Sequence, residues 1–123
     1  MSDEQILSDE NLAFWEENGY VIIHNAVPQE LLDGVIDAIW EYLGVTGEDP
    51  KDWYKAEPKN RREPGGETIS ISRGGGVRVP SHHAAMWATR QHPKIHRIFA
   101  EILGTEKLWA SFDKANMKPP INP

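Results

Sequence analysis

At 123 residues, with 39% hydrophobic and 26% charged content, the chain has the make-up of one soluble globular domain able to bury a modest core. A formal charge of -6, with Arg61-Arg62 the densest basic spot, argues against a nucleic-acid partner, whose phosphates are held by clustered Lys and Arg. The acidic start Met1-Ser2-Asp3-Glu4-Gln5 leads into no apolar stretch of signal-peptide or membrane-span length, so a cytoplasmic protein without a membrane partner is expected. The absence of Cys excludes disulfides, thiolate metal sites and a Cys nucleophile.

Ser8 is a good N-cap, followed by Asp9 and Glu10 in the dipole-favoured first turn, and Leu7 and Leu12 stand at the positions of a hydrophobic staple. Asn18-Gly19 stops this helix. Tyr20-Val21-Ile22-Ile23 is a β-branched and aromatic run with no helical face, which reads as a short buried strand. Pro28 opens a second helix whose Leu31, Leu32, Val35, Ile36, Ile39, Trp40 and Leu43 form one broad apolar stripe, and Gly44 ends it. Gly34 lies inside that helix at a cost of about 1 kcal/mol relative to Ala, which suits a place of close packing.

From 45 to 67 the chain makes a Pro- and Gly-rich excursion, with Pro50, Pro58 and Pro64 beside Gly47, Gly65 and Gly66, and one turn of helix is expected from Asp49 to Tyr54. Ile69 and Ile71 alternate with Thr68, Ser70 and Ser72 as a half-buried strand does. The Gly74-Gly75-Gly76 run between Arg73 and Arg78 lacks the spacing and Lys of a phosphate loop and reads as a flexible loop. A short helix follows from Ala84 to Gln91, and Pro93 opens another with Ile95, Ile98, Phe99 and Ile102 on one face, ending at Gly104. Lys107 to Met117 reads as a long strand. With no chain after Pro123 to pair it, the polypeptide is expected to be the opening of something larger. No internal repeat, low-complexity tract or second domain interrupts this order.

The segments Phe14-Trp15-Glu16-Glu17-Asn18-Gly19-Tyr20-Val21-Ile22-Ile23 and Val27-Pro28-Gln29-Glu30-Leu31 resemble the opening of the phytanoyl-CoA dioxygenase family. His82-His83-Ala84-Ala85-Met86-Trp87, Arg90-Gln91-His92-Pro93, Ile102-Leu103-Gly104-Thr105-Glu106-Lys107-Leu108-Trp109 and Lys118-Pro119-Pro120 are similar, in order, to later segments of its bacterial members. The resemblance covers nearly the whole chain except 47–76. It implies an α+β fold, the N-terminal helix and strand portion of a double-stranded β-helix (jelly-roll, cupin-like) oxygenase with its sheet incomplete, so that residues 1–123 make a single partial domain. It also implies a reaction that depends on Fe(II) and 2-oxoglutarate, acting on a small-molecule substrate, with iron held by a His-x-Asp pair and a distant His. That ligand set leaves coordination positions open.

No His-x-Asp or His-x-Glu occurs here, because His24, His82, His83, His92 and His96 are followed two positions on by Ala26, Ala84, Ala85, Lys94 and Ile98. The chain alone is therefore expected to bind no iron and to be inactive, with the missing pair encoded within roughly 30 residues of Pro123. The resemblance maps 2-oxoglutarate contacts to Lys114 and Arg78, and a minority reading gives His82 and His83 a substrate contact. Read as residues alone, His82 and His83 suit surface or capping roles, and Pro93 makes His92 a cap that need not share a helix face with His96. Lys114 reads as an exposed strand-end lysine, and Asp113 as its ion-pair partner. Two further readings stay open: a non-catalytic protein-binding or oligomerising module, associating through an unpaired sheet edge, and an enzyme using His82, His83 or His96 in an unfamiliar site.

Overall fold

The computed structural model describes residues 4–54, 67–68, 77–78, 82–111 and 113–120, with 67–68 and 77–78 described by their backbone. The elements run α1 (Asp9–Asn18), α2 (Gln29–Leu43), α3 (Pro50–Trp53), β1 (Glu67–Thr68), β2 (Val77–Arg78), α4 (Ala84–Arg90), α5 (Pro93–Leu103) and β3 (Asn116–Met117). The expected strand at Ile69 and Ile71, the glycine run 74–76 and residues 55–66 of the excursion lie outside the described residues.

Ser8 caps α1 as its side chain requires. Its hydroxyl accepts from Asn11 N at 3.1 Å while Asn11 Oδ1 accepts from Ser8 N, also at 3.1 Å, a capping box completed by an asparagine. Leu7, just outside the cap, is 1% exposed. Pro28 stands one position earlier than expected, as the N-cap of α2, with its missing N–H costing nothing there. Gly19, Gly44 and Gly104 end α1, α2 and α5.

The core gathers where the C-terminal half of α2 meets the end of the chain. Tyr42 and Leu43 are buried, with Ile39, Trp40, Val45, Tyr54, Ala115 and Met117 packed around them. Tyr54 Oη donates to the Pro120 carbonyl at 2.8 Å, fixing α3 to the C-terminal segment. The sheet order is β1-β2-β3, antiparallel throughout, with Val77 opposite Met117 and Arg78 opposite Asn116. Gly34 of α2 faces Ala85 of α4, where a Cβ would meet the alanine Cβ at 3.7 Å, an ordinary packing distance.

Four expectations need correction. On α2 the expected apolar stripe turns inward only in part: Leu32 and Ile36 are exposed, whereas Ala38 and Tyr42, outside the stripe, are buried. Residues 20–23 form no strand: the run finds no ladder partner among the described residues, and its inward and outward alternation leaves Ile22 66% exposed. Tyr20 instead packs edge-on against Phe14, ring centroids 5.1 Å apart. Among the described residues the long strand expected from Lys107 to Met117 shrinks to β3, because Leu108 to Ser111 run beside α5 rather than in the sheet and close local turns such as Leu108 N to Glu106 O; Phe112 lies outside the described residues. On α5 the apolar face is rotated. Ile98 and Ala100 are buried, whereas Phe99 is turned out.

Candidate functional site

α5 and the segment 106–113 enclose a groove of about 720 Å³. Its apolar lining comes from Ile95, Phe99 and Leu103 on the helix and from Leu108 and Trp109 on the segment. Polar links hold the segment at both ends. At the first, the Glu106 carbonyl accepts from His96 Nε2 at 3.0 Å, and Arg97 Nη1 lies 3.5 Å from Glu106 Oε1. At the second, Arg90 donates through Nε to Asp113 Oδ1 at 2.8 Å and again through Nη2.

Arg90 is the organising residue of this second end. Its side chain is 6% exposed and its guanidinium lies over the Trp87 ring, 4.3 Å from the centroid. A stacked, planar cation of this kind gives up little hydration and keeps its donors aimed at the carboxylate. Asp113 therefore pairs with Arg90 and not with its neighbour Lys114, as sequence adjacency suggested. The Trp87-x-x-Arg90 spacing, three apart on one helix, carried the signal for the stacking.

His83, His92 and His96 are hydrogen-bonded to the backbone. His83 caps α4, its Nδ1 accepting from Ala85 N at 3.0 Å while Nε2 lies 3.4 Å from Glu41 Oε2 on α2. His92 caps α5, its Nδ1 accepting from Lys94 N at 3.2 Å. His82 is exposed and stacks on Trp87 at 6.0 Å. His96 is the groove histidine, and it serves the Glu106 carbonyl. Among the described residues no three His, Asp or Glu side chains converge as a metal would require. The donor set for iron does not fit the described residues, and no oxidative step follows from them.

Lys114 is half-buried and has no hydrogen-bond or ion-pair partner among the described residues. Arg78 lies in β2 directly opposite Asn116, two residues beyond Lys114, so the sheet brings these two backbone positions to one end of the β2–β3 pair. The side chain of Arg78 lies outside the described residues. His82 and His83 belong to a different place, the start of α4.

Glu101, which sequence reasoning passed over, ties the two ends of the described helical layer together. Its Oε1 accepts from Ile6 N at 2.9 Å and its Oε2 from Leu7 N at 2.8 Å, while Arg97 Nε reaches Oε1 at 3.1 Å. Burial pushes its carboxyl upward, but the two backbone N–H groups and Arg97 outweigh this and hold it below the usual carboxylate range. No local pattern announces a contact spanning 95 residues.

Among the described residues no helix is long and apolar enough to cross a membrane. Comparison with known protein families, curated proteins and solved structures gives no match.

Proposed function

We propose that this chain is the N-terminal portion of an Fe(II)- and 2-oxoglutarate-dependent oxygenase domain of the phytanoyl-CoA dioxygenase type, cytoplasmic and acting on a small organic substrate. The ordered resemblance from Phe14 to Pro120 suggests it, and the register of β2 against β3 carries it. Arg78 and Lys114, which the resemblance assigns to 2-oxoglutarate, come from segments 36 residues apart in sequence yet lie within two residues of one another across the ladder. A carboxylate at that sheet end would meet the Lys114 ammonium, which no described acid neutralises. Iron and 2-oxoglutarate, when bound in such a domain, supply oxygen activation. The donors for iron must come from sequence outside this chain.

The test is the reading frame beyond the codon for Pro123, expressed with this chain and assayed for succinate release with Fe(II) and 2-oxoglutarate. A His-x-Asp or His-x-Glu within roughly 30 residues, with turnover abolished by exchanging that His for Ala, is the expected result. A stop codon followed by unrelated sequence overturns the reading. The 123-residue chain alone should release no succinate above the metal-only background.

A second reading, an oligomerising module, has one observation in its favour. Trp109 is 100% exposed on the wall of a groove lined by Phe99 and Leu103, themselves largely exposed. An indole so placed beside an apolar hollow is a ready contact for another surface.

A further inference from the structure

We infer that the α4–α5 corner is acid-sensitive because both helices are capped at their N-termini by the Nδ1 lone pair of a histidine. His83 Nδ1 accepts from Ala85 N at 3.0 Å and His92 Nδ1 accepts from Lys94 N at 3.2 Å. Each ring must therefore keep Nδ1 unprotonated, with the proton of the neutral imidazole on Nε2. Asn, Asp, Ser or Thr in the same positions would cap through an oxygen that stays an acceptor near neutral pH. Imidazole alone loses its acceptor between pH 8 and 5, and gains there a positive charge facing the positive end of a helix dipole. Both effects act against the helix.

The two caps differ in their surroundings. Against His83 the facing charge on the packed helix α2 is Glu41, whose Oε2 lies 3.4 Å from Nε2, and His82 precedes it in the chain. A protonated His83 keeps that carboxylate as compensation. His92 has no carboxylate of a described residue within ion-pair distance. Its charged neighbours Arg90 and Lys94 are cations, occupied with Trp87 and Asp113 and with the Asn25 carbonyl respectively. The greater share of the acid response therefore belongs to His92, in the turn between the helices, where Gln91 and Pro93 also line the groove. Acidification loosens the wall of the groove at this turn.

Thermal unfolding of the full chain, followed by helical circular dichroism at pH 7.5 and 5.5, tests this. The wild-type midpoint should fall by roughly 3–6 °C at a chain of this size, most of it from the cap at His92. His92→Asn should remove most of the fall and His83→Asn less, while Glu41→Gln should enlarge it. His24, His82 and His96 remain in every variant. A wild-type midpoint that does not move, or an equal fall in the double variant His83→Asn/His92→Asn, overturns the inference. Should the variants fail to fold, ¹⁵N spectra of the wild-type imidazoles decide the matter. An unprotonated Nδ1 at His83 and His92 at pH 7.5 supports it, and a proton on either Nδ1 at that pH overturns it.

Discussion

A Cβ placed on Gly47 would stand 2.6 Å from both Cδ2 and Nε1 of Trp40, at a backbone φ of 79°. The Trp40 ring cannot move aside freely, because it stacks on Trp53 with centroids 6.0 Å apart, and Trp53 Nε1 lies 3.4 Å from the Gly47 carbonyl it donates to. Gly47→Ala should therefore destabilise the fold by about 2 kcal/mol or more, the sum of left-handed strain and a displaced indole, measurable by urea unfolding. Gly34 gives the opposite expectation. Its added methyl would meet Ala85 at an ordinary 3.7 Å with no positive φ, so Gly34→Ala should stabilise α2 by about 0.5–1 kcal/mol. The same measurement separates two glycines that look alike in sequence. One was legible as a break in an excursion and the other as a cost inside a helix, yet the neighbour deciding the sign at each is 7 or 51 residues away.

At the scale of elements, α4 is joined to the segment 106–113 by Arg90, and two forces in that link can be told apart. Asp113 is mostly exposed, so its ion pair is worth under about 1 kcal/mol, whereas the buried guanidinium stacked on Trp87 contributes about 1–2 kcal/mol. Asp113→Asn should accordingly cost less stability than Arg90→Ala, and Arg90→Lys should resemble the alanine variant because an ammonium neither stacks nor forks as a guanidinium does. Equal losses from Asp113→Asn and Arg90→Ala would refute the ordering. The helices were legible because their signals are local: Ser8 and Pro93 at the starts and Gly19, Gly44 and Gly104 at the stops. Which side of α2 turns inward was legible only in part, since Leu32 and Ile36 of its apolar stripe are exposed while Ala38 and Tyr42 are buried. The strands were not. Tyr20 to Ile23 is wholly β-branched or aromatic and Lys107 to Asp113 carries Trp109 and Phe112, but a ladder needs a partner, which no property of the run itself supplies. The groove was illegible for a related reason, since it arises from a segment that runs beside α5 before the chain enters the sheet at β3. The caps at His83 and His92 could be read, since Pro93 and the Ala84 start fix the register, while the choice of Nδ1 as acceptor shows only in the folded chain.

For the whole molecule, the exposed Trp109 and the groove beside it set the expected solution behaviour. The chain should self-associate or bind a hydrophobic dye, and Trp109→Glu should raise the monomer fraction in sedimentation at equal concentration, with no loss of helicity. A monodisperse wild-type monomer without dye binding would contradict this. Acid should act through Glu101, whose side chain is 11% exposed. Because its carboxyl is held below the usual range, its contribution is complete above the ordinary glutamate value of about 4.3 and is lost as pH falls through the lower folded-state value. Glu101→Gln offers one oxygen to two backbone N–H groups, so it should cost about 1–3 kcal/mol at neutral pH and flatten the stability profile below pH 4. The same clamp has a meaning in time. Ile6 and Leu7 are synthesised 95 and 94 residues before the carboxylate that receives them, which at ribosomal rates is a wait of about 5–20 s. Throughout that interval on the ribosome, Leu7 has no finished berth, and α1 waits on α5.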